Sequence, residues 1–343
     1  MGVDLGELIT KRKITFQEII GKSIAIDAYN SLYQFLAIIR GASGEPLMDR
    51  RGRITSHLSG LLYRNSNLLE LGIKPLYVFD GKPPLEKEIE IKRRRHAREE
   101  AVIKYEKALK EGDLVAARTY AQAAVTLKDE LVEDAKRLLT LMGIPWIQAP
   151  SEGEAQAAFM VARGDVWAVG SQDHDSLLFG APRLIRNLTI SGRRKLPGRN
   201  LYVEITPEFI DLNETLKNLS ITREQLIDIG ILIGTDFNPD GVKGIGPKKA
   251  LGLIKEYGSL EKILPLLKEA SFPTPIEGIR KIFLSPKVTE DYRLEWREPD
   301  IEGTKAFLCE ERDFSPERVE KALKAILEGR KKFDRKPSLT KWF

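Results

Sequence analysis

The sequence predicts an α/β fold in which a mostly parallel central sheet carries helices on both faces. Two observations support this. Short apolar runs rich in β-branched residues alternate with segments that have helical spacing, which is typical of strands joined by crossover helices. The 343-residue chain is also 42% hydrophobic, enough to bury a sizeable core.

Four runs are predicted as strands. They are Lys22–Ala28, Pro75–Asp80, Val166–Ser171 and the shorter Pro145–Ala149. Between the first two, Leu58–Leu71 has apolar residues at helical spacing and is predicted to be a helix.

The segment Leu85–Gly143 is helix-forming and contains no convincing strand. Its first part, Glu86–Glu111, is charged all round and includes the basic run Lys92–Arg95. Such a helix is either an ordinary solvated helix or one that becomes ordered on binding, and the sequence leaves both open. After a break at Gly112, Asp113 is predicted to cap a second helix that runs to Leu141.

The C-terminal part is predicted to be helical. Thr222–Gly234 is a strongly apolar helix, and Gly241–Leu253 is a turn leading into a helix with Pro247 in its first turn. Ser259–Glu269 and Ser315–Glu328 follow as helices. Lys331–Phe343 is predicted to have no fixed structure of its own.

Charge and composition exclude several classes of protein. The net charge is +5, and residues 329–343 alone carry six basic residues against one acidic residue, so residues 1–328 sum to zero. The single cysteine, Cys309, predicts a reducing compartment. No apolar stretch is long enough to span a membrane, and no phosphate-binding GxxxxGK[ST] loop or clustered zinc ligands are present. We therefore expect a cytoplasmic protein, or a nuclear one if the source is eukaryotic.

Acidic residues follow the predicted strands or flank helix ends. Because ligands of parallel α/β sheets bind outside the carboxyl ends of the strands, we expect these groups to share one rim. Each alone is explained as a helix cap or turn residue. Together they would repel one another unless cations are bound, which favours two Mg²⁺ ions and phosphodiester hydrolysis. The set comprises Asp27, Asp80, Glu152, Glu154, Asp173, Asp175 and Asp236.

Asp236 has a further requirement. It follows the carboxyl end of the apolar helix Thr222–Gly234, where the helix dipole disfavours negative charge. A compensating cation is therefore expected beside it.

Several motifs resemble those of the flap endonucleases, in the same order along essentially the whole chain. This family belongs to the structure-specific 5′ nucleases, together with the excision-repair endonuclease and a double-strand exonuclease. The short spacer between Asp80 and Glu152 and the compact C-terminal part are similar to the archaeal form. The motifs are Val78–Pro84, Glu152–Ala155, Gln172–Asp175, and Gly234–Asp236 followed by Gly244–Ala250.

The resemblance implies a role for each matching residue. The seven carboxylates would ligate two Mg²⁺ ions, with Mn²⁺ as a substitute, and Lys87 and Arg94 would contact the scissile phosphate. Glu86–Leu141 would form a helical arch for single-stranded DNA, and Tyr33 would stack on a base. The resemblance also implies that a duplex-junction region is formed by Arg40, Leu47, Thr55 and Arg64. It implies that Met1 is removed and that Gly2 then lies near the active site.

Gly241–Ala250 resembles the helix-two-turn-helix of this family. Its glycines allow close approach to a DNA phosphate, and its basic side chains add charge. A turn packed only by its own apolar residues is the alternative. The resemblance also implies K⁺ in this loop. The predicted DNA-binding residues are Gly244, Gly246, Lys248 and Lys249.

The C-terminus resembles a peptide that binds the DNA sliding clamp of the proliferating cell nuclear antigen type. Leu339, Trp342 and Phe343 match its pattern, whereas Lys336 stands where glutamine is usual. The resemblance therefore implies a clamp partner for this segment.

The resulting prediction is a monomeric, Mg²⁺-dependent 5′-flap endonuclease with 5′–3′ exonuclease activity, acting in Okazaki-fragment maturation and base-excision repair without membrane association. Two alternatives remain: a non-catalytic junction-binding scaffold on the clamp, and a related 5′ nuclease with bubble or RNA substrates. The chain is predicted to contain a nuclease region formed by residues 1–84 and 144–221, with a helical arch at residues 85–143 between its two parts. A helical region at residues 222–328 and a basic tail at residues 329–343 follow.

Overall fold

The strands and helices below are those of a computed structural model, which describes residues 2–41, 44–188, 192–195, 202–267, 272 and 274–334. Within these residues the strands are β1 (Arg12–Lys13), β2 (Ser23–Asp27), β3 (Lys74–Phe79), β4 (Trp146–Gln148), β5 (Ala168–Gly170), β6 (Arg183–Arg186), β7 (Gly192–Lys195), β8 (Tyr202–Ile205) and β9 (Glu208–Asp211).

The helices of the first two thirds of the chain connect these strands. They are α1 (Ala28–Ile38), α2 (Ser56–Glu70), α3 (Glu88–Lys110), α4 (Leu114–Ala123), α5 (Asp129–Leu141), α6 (Gly153–Arg163), α7 (Asp175–Leu178) and α8 (Leu212–Leu219). Short 3₁₀ helices lie at Phe16–Ile19 and Leu85–Lys87.

The last third is helical apart from an extended segment between α12 and α13. Its helices are α9 (Arg223–Ile233), α10 (Pro247–Tyr257), α11 (Leu260–Ile263), α12 (Ile276–Leu284), α13 (Ile301–Lys305) and α14 (Pro316–Asp334). A 3₁₀ turn at Leu264–Leu266 follows α11, and a π-helical turn at Ala306–Glu310 follows α13.

The main sheet has seven strands in the order β1-β9-β6-β5-β2-β3-β4. The five strands from β6 to β4 run parallel, and β9 and β1 add antiparallel pairs at the β6 edge. Strands β7 and β8 form a separate antiparallel pair. The predicted α/β fold with a mostly parallel sheet is confirmed.

The side chains of the central strands alternate between two hydrophobic cores. Ile26 and Tyr77 contribute to the core that contains α1, α2, α5 and α14. Ala25 and Val78 contribute to the core that contains α6, α7, α9, α10 and α12. Because both faces of the sheet are buried, its strands are apolar throughout rather than alternating with polar residues.

All four predicted strands are present, but the helix predicted from Asp113 to Leu141 is wrong as one unit. Asp113 does cap α4 by accepting hydrogen bonds from two backbone N–H groups. The chain then leaves the helix between α4 and α5, where two β-branched residues, Val125 and Thr126, disfavour it. Helix α5 buries Leu138 in the core that contains α1, α2 and the central strands, so it packs against the sheet.

Two C-terminal predictions are also corrected. The helix predicted over Ser259–Glu269 ends at Ile263, because Pro265 in the next turn lacks the backbone donor an α-helix needs. Helix α14 continues to Asp334, past the predicted end at Glu328, so Lys331–Asp334 are helical rather than without fixed structure. The division of the chain into regions stays a prediction. No helix in the described part of the chain is long and apolar enough to cross a membrane.

Helix α14 packs along α2, and Gly329 permits their close approach. A Cβ atom at this position would collide with the backbone carbonyl of Leu69. By contrast, a Cβ atom at Gly252 in α10 would meet open space.

We predict opposite effects for the two glycines. Gly329→Ala should lower the free energy of unfolding by about 1–3 kcal/mol, because backbone cannot move aside as a side chain can. Gly252→Ala should raise it by about 0.5–1 kcal/mol through better helix propensity. Denaturant unfolding measures both, and equal effects of the two substitutions would contradict the packing described.

Candidate active site

Two of the predicted acidic residues follow adjacent parallel strands. Asp27 ends β2 and caps α1, accepting a hydrogen bond of 3.0 Å from the backbone N–H of Asn30. Asp80 follows β3 and accepts one of 2.6 Å from the backbone N–H of Gly153. A Cβ atom at Gly153 would lie 2.7 Å from the Asp80 carboxylate, so the glycine lets α6 begin directly beside it.

The start of α6 supplies two more carboxylates. Glu152 is the residue before the helix, and Glu154 lies in its first turn. The Oε1 atom of Glu154 is buried without a hydrogen-bond partner. A carboxylate oxygen is costly to bury in this way unless a cation or a donor faces it.

Asp173 and Asp175 come after β5. The side-chain amide of Asn30 donates to Asp173 over 3.0 Å, and the backbone N–H of Val3 donates to Asp175 over 2.6 Å. A Cβ atom at Gly2 would lie 2.5 Å from an oxygen of Asp175. The N-terminal glycine predicted near the site therefore does lie against one of its carboxylates.

Asp236 lies in the turn after α9 and is paired with two cations. Lys87 Nζ is 3.2 Å from its Oδ2 atom, and Arg94 Nη2 is 2.5 Å from its Oδ1 atom. Lys87 Nζ also lies 2.5 Å from Glu152 Oε2. The compensating charge expected beside Asp236 is thus supplied by the start of α3 and the 3₁₀ turn before it.

Burial and mutual repulsion dominate the electrostatics of this rim. Burial, followed by repulsion from neighbouring aspartates, raises the pKa of Asp27 and of Glu154 well above the usual range. The same causes raise the pKa of Asp175 to about 7. Burial alone would lower the pKa of Lys87, but Glu152, Asp236 and Asp80 more than offset this and raise it.

The donor set fits hard divalent cations. Every predicted ligand offers carboxylate oxygen, which Mg²⁺ prefers, and Glu154 keeps an unpartnered oxygen. Among the residues that the structure describes, no group of three or more acidic, histidine or cysteine side chains could hold an ion as it stands. Lys87 and Arg94 occupy oxygens of Glu152 and Asp236, so bound ions would have to compete with them.

The basic run of α3 divides between the site and solvent. Arg94 faces Asp236 and Glu90, whereas Lys92 and Arg95 are exposed and pair along their own helix. Arg93 reaches across to Asp240 at 3.0 Å. The interpretation of this run as a solvent-exposed helix face therefore fits Lys92 and Arg95.

Helix α4 returns along α3, and the two helices meet through small side chains. The buried residues at their contact are Ala101, Ala108, Ala117 and Ala121. Tyr33 on α1 lies beneath this pair, with the guanidinium of Arg98 over its ring at 5.2 Å from the centroid.

The predicted junction residues lie on and before α2. Arg40 donates to the carbonyls of Leu36 and Gly44, which holds the loop after α1. Leu47 is 37% exposed and accepts a backbone hydrogen bond from Thr55, whose own side chain is buried. Burial lowers the pKa of Arg64, further along α2.

The predicted DNA-binding turn lies between α9 and α10. Gly244 has a φ of 78°, and Gly246 precedes α10, with open space where a Cβ atom would stand at either residue. Lys248 is 79% exposed, 3.6 Å from Glu7, and Lys249 donates to the carbonyl of Gly244. The backbone at the start of α10 is therefore accessible to an anion.

Sequence reasoning missed two asparagines that shape the site. Asn30 connects Asp27 and Asp173. Asn238 is buried, donates to the carbonyl of Ile231 over 2.7 Å and accepts from Thr235 over 2.6 Å, which fixes the turn that carries Asp236. Helical spacing from Asp27 could have pointed to Asn30, whereas no sequence signal indicates Asn238.

Comparisons with known proteins agree with this arrangement. Residues 1–101 match the XPG N-terminal domain, and residues 143–236 match the XPG I-region. Flap endonuclease 1 of Staphylothermus marinus is 59% identical over 333 residues, 96% of this chain and 95% of that protein. The chain belongs to the flap endonuclease family.

Further relatives support the same family. Flap endonuclease 1 of Pyrococcus abyssi is 56% identical over 344 residues, covering 100% of this chain and 98% of that protein. The solved structure of flap endonuclease-1 from Methanococcus jannaschii has a TM-score of 0.76 and 45% identity, covering 96% of this chain and all of that chain. The predicted resemblance is confirmed, and the protein is a structure-specific nuclease that acts on flap DNA.

The residues predicted to bind the sliding clamp, Leu339, Trp342 and Phe343, lie outside the described residues. Their role stays a prediction.

We predict that Asn30→Ala lowers the rate of flap cleavage by about tenfold, because Asp173 loses the donor that orients it. Single-turnover cleavage of a 5′-flap DNA measures this. Asn218→Ala, which removes an exposed hydrogen bond to Thr10, is the matched control. Equal rates for the two variants would show that Asn30 does not orient the site.

Proposed function

We propose that the protein hydrolyses one phosphodiester near the base of a 5′ flap with two Mg²⁺ ions, leaving a 3′-hydroxyl and a 5′-phosphate. One observation carries this proposal: carboxylates from separate elements share one rim, two of them paired with cations from the base of α3. Nucleases of this family are metal-dependent in general. The ion type, the number of ions and the ligand roles belong to the proposal.

The seven carboxylates would hold the ions directly or through water. When bound, such ions activate the attacking water and stabilise the leaving oxygen. The buried, unpartnered oxygen of Glu154 supports this role, as does the raised pKa of Asp175, because both mark negative charge that the protein alone does not balance. Mn²⁺ offers the same oxygen-ligand chemistry and is proposed as a substitute.

Lys87 and Arg94 are proposed to change partners during the reaction. In this structure they neutralise Glu152 and Asp236. If those carboxylates held ions instead, the two side chains would be available to contact the scissile phosphate. There they would offset the charge that develops in the transition state.

Several other site residues are proposed to hold the DNA. The flap's single strand would pass between α3, α4 and the sheet, where Tyr33 can stack on a base. The start of α10 would bind a duplex phosphate through backbone N–H groups, with K⁺ in the loop at Gly244. Arg40, Leu47, Thr55 and Arg64 would contact the duplex junction. The same geometry would allow 5′–3′ exonuclease activity.

An end-labelled double-flap DNA tests the reaction. We predict one dominant product cut at the junction, formed with Mg²⁺ and absent with excess chelator, and no such junction-cut product from a matched blunt duplex. Asp173→Ala should abolish cleavage with little change in folding, since the carboxylate serves the ions. Asp211→Ala, which removes a helix cap at the opposite ends of the strands, should retain it.

The outcomes separate the alternatives. Tight flap binding without cleavage would favour a junction-binding scaffold. Preferred cleavage of bubble or RNA substrates would favour the related nuclease. Retained cleavage by Asp173→Ala would remove the proposed ligand assignment.

We also propose that the last residues bind a DNA sliding clamp. Leu339, Trp342 and Phe343 support this, because they match the aliphatic and aromatic positions of the clamp-binding peptide. Deleting residues 336–343 should weaken stimulation of cleavage by the clamp and leave basal cleavage unchanged. Unchanged stimulation would contradict the assignment.

A further inference from the structure

A buried ion pair joins helices α9, α11 and α12. Asp228, in the middle of α9, is 3% exposed. Arg280 on α12 donates to both of its oxygens, with distances of 2.7 Å to Oδ1 and 2.8 Å to Oδ2. The backbone N–H of Leu260 at the start of α11 also donates to Asp228, over 3.2 Å, and the remaining guanidinium donors include a contact to Glu261.

This pair lies in an otherwise apolar environment. The surrounding core of α9, α10 and α12 contains Ile227, Ile254 and Ile279. Burial raises the pKa of Asp228, and the bonds from Arg280 oppose that rise. Apolar side chains of similar volume would commonly hold three helices together as well as a buried pair does. A bidentate ion pair additionally fixes the relative orientation of the two side chains that it joins.

The pair lies where it can fix the direction of α10. Near the start of α10, the N–H of Val242 donates to the carbonyl of Leu232 at the end of α9, over 2.8 Å. At the other end of α10, the side chain of Gln225 donates to the carbonyl of Gly258. Asp228 also accepts the hydrogen bond from Leu260 in the segment that follows Gly258. Both ends of α10, which are about 16 Å apart, are therefore attached to α9.

Helix α9 also leads directly to Asp236. Its last residue, Ile233, is followed by the turn that Asn238 fixes. One helix therefore sets both the position of a rim carboxylate and the direction of the helix whose start meets DNA.

We propose that Asp228 and Arg280 are positioning residues for substrate binding, which aim the start of α10 at a duplex phosphate while the scissile bond lies over the carboxylate rim. This inference rests on the proposed DNA contact at Gly244–Lys249. It concerns only DNA that is long enough to reach that turn.

Fluorescence anisotropy in chelator, where no cleavage occurs, tests the inference. Two flap substrates are compared: one with a duplex that extends past α10, and one with a truncated duplex. Arg280→Met should raise the Kd for the long substrate by about tenfold, since misdirected N–H groups lose a phosphate contact. The Kd for the truncated substrate should stay within twofold of that of the unchanged protein.

Three further variants separate positioning from stability. The double variant Asp228→Leu with Arg280→Met restores an apolar contact, and it should regain thermal stability while keeping the weakened binding. Arg280→Lys keeps the positive charge but loses the bidentate geometry, and this variant should bind the long substrate with intermediate affinity. Leu323→Ala weakens the opposite core and should lower the melting temperature without changing either Kd.

Two results would overturn the inference. One is binding of the long substrate within twofold of the unchanged protein by either Arg280→Met or the double variant, since both lack the ion pair. The other is an equal loss of affinity for long and truncated substrates. Because the assay needs no metal, failure of Mg²⁺-dependent cleavage in the unchanged protein would count against the proposed function and leave this test intact.

Discussion

Repulsion among buried carboxylates at one rim of the sheet is the constraint on which the rest of the structure depends. Parallel strands bring Asp27, Asp80 and Asp173 together, because all carboxyl ends of such strands meet at one edge. Placed there without cations, these groups would favour protonation, as the raised pKa of Asp27 and Asp175 indicates. These carboxylates therefore need positive charge beside them to stay ionised.

The base of α3 supplies positive charge in this structure, so the position of this helix is linked to the chemistry proposed for the site. Lys87 and Arg94 are held by Glu152 and Asp236 rather than by apolar packing, and α3 buries little else than two alanines. A helix fixed mainly by charge can exchange its partners when ions or phosphates arrive. The same two side chains can thus serve the folded protein alone and the reacting complex in turn.

Sequence reasoning reached the fold and the acidic residues because both follow local rules. A short run with β-branched residues that ends near an aspartate, such as Lys22–Ala28, predicts a buried strand with a carboxylate at its carboxyl end. The break before α5 has only a weak local signal in Val125 and Thr126, which the helix-forming character of the residues around it outweighed. The close packing of α14 on α2 at Gly329 is a tertiary contact that no local pattern reveals. Asn238 was missed because its bonds to the Ile231 carbonyl and the Thr235 hydroxyl depend on the shape of the turn after α9, which no sequence signal indicates.

The geometry also explains why recognition would follow DNA shape rather than base sequence. The turn proposed to bind DNA, Gly244–Lys249, offers backbone N–H groups, glycines and lysines, which suit phosphates. Phosphate contacts carry no direct sequence information. Selectivity must then come from the distance and angle between that turn and the carboxylate rim. Both lie at the end of α9, so under these proposals a substrate would be selected when its duplex and its flap contact these two places at once. The orientation of α10 relative to α9 would then determine that selectivity.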